Sequence, residues 1–389
     1  EFHQWKLEEE RLQSEIDRLT LQALVEPRGL MEIAEGSELR TVRKTVVGKF
    51  AIHPETGGPM IDEQGAPIFE RNSRGEIVEA QGKRRTTTVL DYLREQLHRT
   101  GTKEGCAEGD CGACTVVMGE AQGERMQYRA VNACIRFLPT VAGKEVITVE
   151  SLRQPDGSLH PVQQAMVDQH ASQCGFCTPG FVMSLFGLYL ESPAPTREQV
   201  LDSVAGNLCR CTGYRPIIDA GLAMNGYPMP SRWSREEAQG PAHRERLASL
   251  TEDAVPGFRA PRSLEAFARA YAAAPESLIL AGGTDVGLWV TKQLRVLPPI
   301  LSIAEVAELG VMAEADGCLE IGAAVRLTDA AQAITQRYPG LAELFNRFAS
   351  PPIRNSGTLC GNIANGSPIG DSMPVLIALG AQVRLRRGE

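Results

Sequence analysis

The chain of 389 residues lacks the long apolar segments that a membrane-spanning helix needs. Its longest apolar run, FVMSLFGLYL, covers only about half of a bilayer and therefore predicts a buried helix. An excess of positive charge is also missing, since the formal net charge is −8, so neither nucleic acid nor an anionic membrane is an expected partner. The six histidines form no ligand pair, and the sequence opens without a secretory leader. These absences predict a cytoplasmic protein, and the length of 389 residues predicts about two to four domains.

Cysteine, in contrast, is abundant, and most of the ten cysteines fall into two sets with the spacing of iron-sulfur ligands. The first set has the plant-type ferredoxin pattern, in which four and then two residues separate the cysteines and a distant one completes the set: Cys106, Cys111, Cys114 and Cys134. The second set joins a CxxC pair to a CxC pair: Cys174, Cys177, Cys209 and Cys211. Each set supplies the four thiolates that a 2Fe-2S cluster requires, so the chain is expected to conduct electrons.

The loop around the first set also suits a cluster. Gly105, Gly109 and Gly112 allow the backbone to fold closely around it and to direct amide hydrogens at sulfur, which favours the reduced cluster. A zinc site or unrelated buried cysteines are the alternatives, and they have more weight for the second set because of its unusual CxC pair. Disulfides are disfavoured, because no leader is present and the spacing matches metal ligation.

The N-terminal part divides into an extension and a small sheet domain. Residues 1–65 form an extension of unknown role, with a charged helical start and then proline and glycine breaks. Within 66–155 we expect a hairpin that turns at residues 73–75 and a helix in TTTVLDYLREQL that buries Leu90, Leu93 and Leu97. Strands are expected at CTVVM, RMQYRAV and VITVE. This order predicts a ferredoxin-like β-grasp domain.

Helical periodicity begins near residue 156. Four helices are predicted within residues 156–228, with the second cysteine set at their ends, so a four-helix domain should hold one cluster at one end. Residues 229–257 are polar and contain proline, which predicts a linker.

A third module occupies residues 258–389. Its apolar strand SLIL leads into Gly282, Gly283 and Thr284, where bare backbone amides can approach a phosphate before a helix begins. A later segment places small and hydroxyl residues around Asn362, Ser367 and Asp371, a composition that suits close wrapping of a dinucleotide.

Taken in order, these motifs resemble the molybdenum hydroxylase family, and within it the small subunit of bacterial xanthine dehydrogenases. The resemblance covers residues 66–389 and rests on five motifs: EGCAEGDCGACTV, QCGFCTPG, GNLCRCTGYRPI, AGGTD and GNIANGSPIGD. It implies an α+β multidomain fold with a β-grasp 2Fe-2S domain, a four-helix 2Fe-2S domain and an α/β FAD-binding domain. The last of these is expected to be truncated at its C-terminal end, because AQVRLRRGE stops in an apparent strand.

The resemblance also implies cofactor roles. The second cysteine set would hold the cluster nearer the molybdopterin and the first set the cluster nearer the flavin. Residues of the glycine turn would line the FAD pyrophosphate: Ile279, Leu280, Ala281, Gly282, Gly283, Thr284, Asp285 and Val286. Further FAD contacts would come from Thr358, Asn362, Ser367 and Asp371, and Phe348 matches an aromatic that covers one flavin face, although an ordinary core phenylalanine is the alternative.

The activity that follows from the resemblance is electron transfer in a xanthine dehydrogenase. A separate molybdopterin-binding large subunit would hydroxylate hypoxanthine or xanthine, within a heterotetramer, and NAD would be the final acceptor. No residue of this chain is expected to act as a catalytic base. An equivalent subunit acting on an aldehyde, carbon monoxide or an N-heterocycle is an alternative, and a zinc-bearing scaffold without redox function is another.

Overall fold

The computed structural model describes residues 83–250, 255–315, 317–367 and 370–386, and all of these except Lys83 belong to the compact unit Arg84–Glu389. The N-terminal extension and the hairpin predicted at residues 73–75 lie outside the described residues. The described strands are β1 Thr115–Gln122, β2 Arg125–Asn132, β3 Glu145–Ile147, β4 Phe258–Arg259, β5 Leu278–Leu280, β6 Ile300–Ser302, β7 Met312–Ala315 and β8 Cys318–Ile321. The described α-helices are α1 Lys83–Thr86, α2 Val89–Asp91, α3 Pro161–Asp168, α4 Thr178–Glu191, α5 Arg197–Ser203, α6 Arg215–Ala223, α7 Arg235–Ala238, α8 Pro241–Ala248, α9 Leu264–Ala273, α10 Thr284–Thr291, α11 Leu327–Arg337, α12 Ala342–Arg347, α13 Pro351–Arg354, α14 Leu359–Asn365 and α15 Ser372–Ala378.

The first three strands form one antiparallel sheet in the order β2-β1-β3, where the sequence predicted them. Both faces of this sheet are covered. Val117 packs into the core of the helical domain, whereas its neighbours Val116 and Met118 pack against α2 on the opposite face. This alternation follows from the two-residue period of a strand, and it joins the two cluster domains through a shared core.

The helix that precedes the first cysteine set differs from its prediction. Thr88 caps α2 by accepting from the Asp91 amide, and Leu90 and Leu93 are buried as expected. From Tyr92 the helix continues as a π-helical turn to Gln96, in which the Leu97 amide donates to the Tyr92 carbonyl. This wider turn rotates Leu97 off the buried face, so that its side chain is 47% exposed. The predicted burial of Leu97 was therefore wrong.

The four predicted helices are present as α3 to α6, around the strongly apolar α4. His160 precedes α3, where its Nδ1 accepts from the Val162 amide and its ring meets the edges of Phe186 and Tyr189. Burial lowers the pKa of His160 to about 4, because a charged imidazole would lose hydration in this core. Even the 14-residue α4 is too short to cross a bilayer, and no other described helix is long and apolar enough to do so.

The segment predicted as a linker, residues 229–257, is packed against the first sheet over its described part. It contains α7 and α8, and Trp233 is buried with its indole Nε1 donating to the Ser151 carbonyl at 3.1 Å. The Tyr128 hydroxyl donates to the Ala238 carbonyl at 2.8 Å, and the imidazole of His243 lies 2.9 Å from a carboxylate oxygen of Glu145. These contacts fix the segment across the sheet instead of leaving it as a loose connection.

The third module is a mixed α/β arrangement. Strands β4, β6 and β5 form a parallel sheet in that order, and β7 and β8 form an antiparallel hairpin. Helix α10 follows β5 directly, as the sequence predicted, so its N-terminus lies at the carboxyl end of the sheet. Residues 381–386, where the sequence suggested a strand, have no regular secondary structure.

Candidate functional site

The first cysteine set lies in the loop between the π-helical turn and β1, with Cys134 just beyond the end of β2. The backbone wraps around the sulfurs: the amides of Glu108 and Cys111 both donate to Cys106 Sγ at 3.4 Å, and the Cys106 amide donates to Cys111 Sγ at 3.4 Å. Gly109 and Gly112 adopt positive φ angles of 88° and 67°, which a residue with a side chain would rarely adopt. These glycines let the loop turn back on itself and direct its amides at sulfur.

The thiols of this set interact with one another. A hydrogen bond from the Cys134 thiol, assisted by the backbone amides of Cys111 and Glu108, outweighs the opposing effect of burial and lowers the pKa of Cys106 to about 3. The same Cys134 thiol also lowers the pKa of Cys114, while these two bonds raise the pKa of Cys134. Burial also raises the pKa of Cys111. The four sulfurs thus form one contiguous group in which Cys106 and Cys114 are the thiols that most readily become thiolates, the form that binds a metal.

The second set lies at one end of the helical domain, where Cys177 immediately precedes α4 and Cys209 and Cys211 precede α6. The thiols of Cys174 and Cys211 are hydrogen-bonded, as are those of Cys177 and Cys209. Burial, followed by the bond to Cys209, raises the pKa of Cys177 to about 12.

Local polar groups hold the second set in place. The Cys209 amide donates to the Tyr214 hydroxyl at 2.9 Å, and Cys209 Sγ lies 3.1 Å from Thr212 Oγ1. Cys174 and Cys211 are exposed, whereas Cys114 and Cys134 of the first set are buried. The second set therefore faces solvent on its outer side, whereas the first set, with Cys106 and Cys111 half-buried, is the more buried of the two.

Both cysteine sets suit 2Fe-2S clusters by the chemistry of their donors. Each brings together four thiols, and backbone amides point at sulfur in the first set. Within the described residues, no three His, Cys, Asp or Glu side chains surround a position for a single metal ion. The remaining cysteines, Cys318 and Cys360, lie in the third module apart from both sets, at β8 and in α14.

The glycine turn predicted to meet a phosphate lies between β5 and α10. Gly283 has a φ of 77°, and a Cβ on Gly282 would lie 2.2 Å from the Ser356 carbonyl oxygen. Both positions therefore require glycine, one for its backbone conformation and one for close approach. The amides at the start of α10 are unpaired within the helix and carry the positive end of its dipole, so this turn can bind an anion such as a pyrophosphate.

The predicted flavin contacts divide by burial. Ile279 is exposed and Ala281, Thr284 and Asp285 are half-buried, whereas Leu280 and Val286 pack into the core of the parallel sheet. Burial raises the pKa of Asp285. Leu280 is buried and can contribute only its backbone to a ligand, whereas Val286 is half-buried.

The second predicted segment lies around α14. Thr358 caps this helix by accepting from the Gly361 amide at 3.0 Å, and Asn362 Oδ1 accepts from the Ser372 hydroxyl at 2.5 Å. Asp371 is exposed immediately before α15. Phe348 is only 9% exposed and packs among buried apolar side chains such as Phe345 and Leu359, so the structure places its ring in a hydrophobic core.

A cavity of about 890 Å³ opens beside the glycine turn. It is lined by Gly282 and Thr358 on one side and by Arg129, Arg136 and Arg326 on the other. Sequence reasoning missed these arginines, because only folding brings the first sheet against the third module. The sequence offered one clue to Arg136, because this residue stands two positions after Cys134. In the structure its Nη1 donates to the Ser356 hydroxyl at 3.4 Å.

The charges around this cavity are partly compensated. Burial would raise the pKa of Glu120, but Lys144 and Arg326 more than offset this effect and lower it to about 2. Burial lowers the pKa of Arg136 to about 10. Both groups are therefore charged at neutral pH, and the cavity wall presents fixed charge of both signs.

Comparison with known proteins identifies three domains in the order that the structure shows. Residues 72–138 match a 2Fe-2S iron-sulfur cluster binding domain, residues 148–222 a second 2Fe-2S binding domain, and residues 254–389 the FAD binding domain in molybdopterin dehydrogenase. These matches agree with two 2Fe-2S clusters and FAD as the cofactors.

Similar proteins include xanthine dehydrogenase 2 of Arabidopsis thaliana, which is 31% identical over 77% of this chain and 27% of its own length. Aldehyde oxidase 4 of Cavia porcellus is 32% identical over 75% of this chain and 26% of its own length. The chain thus spans about a quarter of these relatives. Among solved structures, a chain of quinoline 2-oxidoreductase from Pseudomonas putida 86 is 38% identical, with 36% of this chain and 82% of that chain covered and a TM-score of 0.32. The three domain matches and the curated relatives support the molybdenum hydroxylase family of oxidoreductases for this chain, which has two 2Fe-2S domains and an FAD-binding domain.

Proposed function

We propose that this chain is the electron-transfer component of a xanthine dehydrogenase. The proposed cluster ligands are Cys106, Cys111, Cys114 and Cys134 for one cluster and Cys174, Cys177, Cys209 and Cys211 for the other. Bound 2Fe-2S clusters supply one-electron transfer and bound FAD supplies hydride transfer, which together connect two-electron chemistry on a partner to two-electron chemistry at NAD. We further propose cytoplasmic localisation and a heterotetramer with a molybdopterin-binding large subunit.

The overall reaction balances in atoms and electrons. A purine C–H bond and water are converted to C–OH with release of two electrons and two protons at the partner, and NAD⁺ takes up two electrons and one proton to become NADH. One proton is left over. No side chain of this chain needs to act as a general base, because the hydroxylation belongs to the partner.

One observation carries this proposal: the two thiol sets lie in sequence between an exposed face and the glycine turn. Cys174 and Cys211 are exposed at the end of the helical domain, where a partner could dock. Ile135, next to Cys134, packs against α10, since a Cβ on Gly287 would lie only 2.4 Å from the Ile135 carbonyl oxygen. This order supports entry of electrons at the second set and exit from the first set toward FAD.

The chain's own residues would bind FAD mainly by backbone. We propose that residues 279–286 line the pyrophosphate, with Gly282 and Gly283 giving close approach, and that Thr358, Asn362, Ser367 and Asp371 contact the phosphate and ribose region. Phe348 beside the flavin ring belongs to the same proposal, which its buried position supports least. The domain boundaries are proposed as 66–155, 156–228 and 258–389, joined by the segment 229–257.

Iron and acid-labile sulfide analysis, together with electron paramagnetic resonance, tests the assignment. The native chain should give two distinct reduced 2Fe-2S signals, and Cys111→Ser should lose half of the iron and one signal only. Cys318→Ser is the matched control, because this cysteine is exposed and lies in β8, outside both sets. Stoichiometric zinc in place of iron, or an equal loss from the control, would contradict the proposal.

The choice of substrate is tested with the partner. Xanthine dehydrogenases and aldehyde oxidases are similarly related to this chain, at 31% and 32% identity, so an aldehyde is the second candidate substrate. The chain alone should not oxidise xanthine. Reduction of NAD by xanthine, and not by an aldehyde, after addition of the molybdopterin-binding partner would support the xanthine dehydrogenase assignment, and the reverse preference would favour the alternative.

A further inference from the structure

The two cysteine sets are joined by a direct contact between backbones. The Leu208 amide donates to the Cys111 carbonyl at 2.9 Å, and Leu208 immediately precedes Cys209. One hydrogen bond and a few covalent bonds therefore connect a proposed ligand of one cluster to a proposed ligand of the other. Electronic coupling decays more slowly along such bonds than across a van der Waals gap, so this contact is a favourable route for an electron.

Glycines make the contact possible. A Cβ on Gly112 would lie 2.2 Å from the Gly206 carbonyl oxygen, and a Cβ on Gly180 would lie 2.2 Å from the Gly112 carbonyl oxygen. Real Cβ atoms do not approach oxygen so closely, so any side chain at these two positions would separate the segments. The loop of the first set, the segment before Cys209 and the start of α4 thus meet with backbone against backbone.

One side chain spans all three of these segments. Asn207 is 3% exposed, and its amide Nδ2 donates to the Gly112 carbonyl at 3.0 Å and to Thr115 Oγ1 at 3.2 Å. Its Oδ1 accepts from the Ser184 hydroxyl of α4 at 2.6 Å. Donors and acceptor are therefore all paired, which fixes the orientation of the amide and, through it, the adjacent Leu208 amide.

We propose that Asn207 is a positioning residue that sets the electronic coupling between the two clusters. It does so by holding the Leu208 amide against the Cys111 carbonyl, and the inference rests on the proposed function, since it presumes that both cysteine sets carry clusters. Asn207 touches none of the proposed ligand sulfurs in these contacts. Its replacement should therefore weaken the communication between clusters without removing either of them.

Asn207→Asp is the decisive substitution. It keeps the shape of the side chain and the acceptor for Ser184, but it replaces the donating Nδ2 by an oxygen that faces the Gly112 carbonyl and repels it. The Gly112 carbonyl still accepts from the Thr115 hydroxyl at 2.7 Å, so no backbone group is orphaned. We expect the Leu208 segment to move away from the Cys111 carbonyl as the result.

Two measurements on the full chain report this movement, and neither is an activity. The first is spin–spin splitting between the two reduced clusters in low-temperature electron paramagnetic resonance. Its dipolar part weakens steeply as the clusters separate, and its exchange part weakens when the bonded route is lost. The second is hydrogen exchange of the Leu208 amide. In Asn207→Asp we expect a reduced splitting and loss of Leu208 protection, with both individual cluster signals and the full iron content retained.

The matched control is Gln154→Glu. Gln154 is also a buried amide, with Nε2 donating to the Leu152 and Arg232 carbonyls, but it lies outside both cysteine loops. This variant should lose comparable stability and keep the splitting. A second test variant, Ser184→Ala, removes one of the three hydrogen bonds that orient Asn207 and should reduce the splitting partially, so it decides the question if Asn207→Asp fails to fold.

The outcomes separate this inference from the proposed function. If the native chain lacks two cluster signals, the proposed function itself is contradicted. Two signals whose splitting is unchanged in both Asn207→Asp and Ser184→Ala, or equally reduced in Gln154→Glu, overturn the role of Asn207 while leaving the proposed function intact.

Discussion

Replacement by alanine is predicted to have opposite effects on stability at two glycines that lie inside helices. Gly187 lies in α4 and Gly287 in α10, and in both cases replacement by alanine should favour the helix by about 0.5–1 kcal/mol, because alanine loses less backbone entropy on folding. What differs is the space beside each one. A Cβ on Gly187 would meet its nearest atom, Val117 Cγ2, at 3.7 Å, an ordinary contact.

A Cβ on Gly287 would instead lie 2.4 Å from the Ile135 carbonyl oxygen and 2.8 Å from Ile135 Cβ. The backbone next to Cys134 cannot yield without moving the first cysteine set, so we expect an overpacking cost of about 1–3 kcal/mol. Over most of its range this cost exceeds the helix gain. Gly287→Ala should therefore destabilise the third module, by up to about 2.5 kcal/mol, whereas Gly187→Ala should stabilise the helical domain by up to about 1 kcal/mol.

Denaturant unfolding with two probes measures both effects in one sample. Flavin fluorescence reports the third module and cluster absorbance reports the cluster domains, so the two transitions are followed separately. Gly287→Ala should lower the midpoint of the flavin transition and loosen FAD. Unchanged stability of Gly287→Ala would show that Ile135 and α10 are not packed as closely as the structure has them. A destabilised Gly187→Ala would show that the space beside Val117 is smaller than the structure has it.

Three further substitutions test other parts of the molecule. The pKa of Glu120 is lowered from 4.5 to about 2, so its ionised form contributes about 3 kcal/mol of stability above pH 4.5, and this stability is lost as the pH falls through 2. Glu120→Gln no longer forms the ion pair with Arg326. Acid unfolding should show that this variant is less stable than the native chain at pH 7 and approaches its stability toward pH 2. Arg354→Met removes a buried guanidinium that donates to Asp202 at 2.7 Å, and thermal unfolding should report a loss of about 1–3 kcal/mol. Phe348→Leu should cost less than about 1.5 kcal/mol if packing is its main role, and a changed flavin absorption spectrum would reveal contact with the ring.

Local sequence patterns predicted the parts of this structure that depend on neighbours in the chain. The turn at Gly282 and Gly283 follows its strand as expected, because the conformation is imposed by residues within the turn itself. The three strands of the first sheet also lie close to the segments where the sequence predicted them. The deviation at Leu97 has a local origin too, but a π-helical turn leaves no periodic signature in so short a helix.

Contacts between domains could not be predicted in this way. Asn207 sits beside a predicted cysteine motif, yet nothing in GNLCRC indicates that its amide reaches the Gly112 carbonyl, 95 residues earlier. The packing of residues 229–257 was missed for a related reason, since polar composition and proline are typical of linkers, whereas Trp233 and Tyr128 find partners only after folding. The arginines that line the cavity likewise come together only through the fold.

The different burial of the two cysteine sets has a physical consequence for the proposed direction of electron transfer. A buried iron-sulfur site loses hydration of its negative reduced form, whereas an exposed site keeps it, and backbone amides directed at sulfur act in the opposite sense to burial. The first set is the more buried, and its loop supplies three amide-to-sulfur bonds at 3.4 Å. Amides can therefore offset the burial that would otherwise make the inner cluster harder to reduce than the outer one. This balance would keep transfer toward FAD favourable without exposing the inner cluster to solvent, where its electrons could be lost to other acceptors.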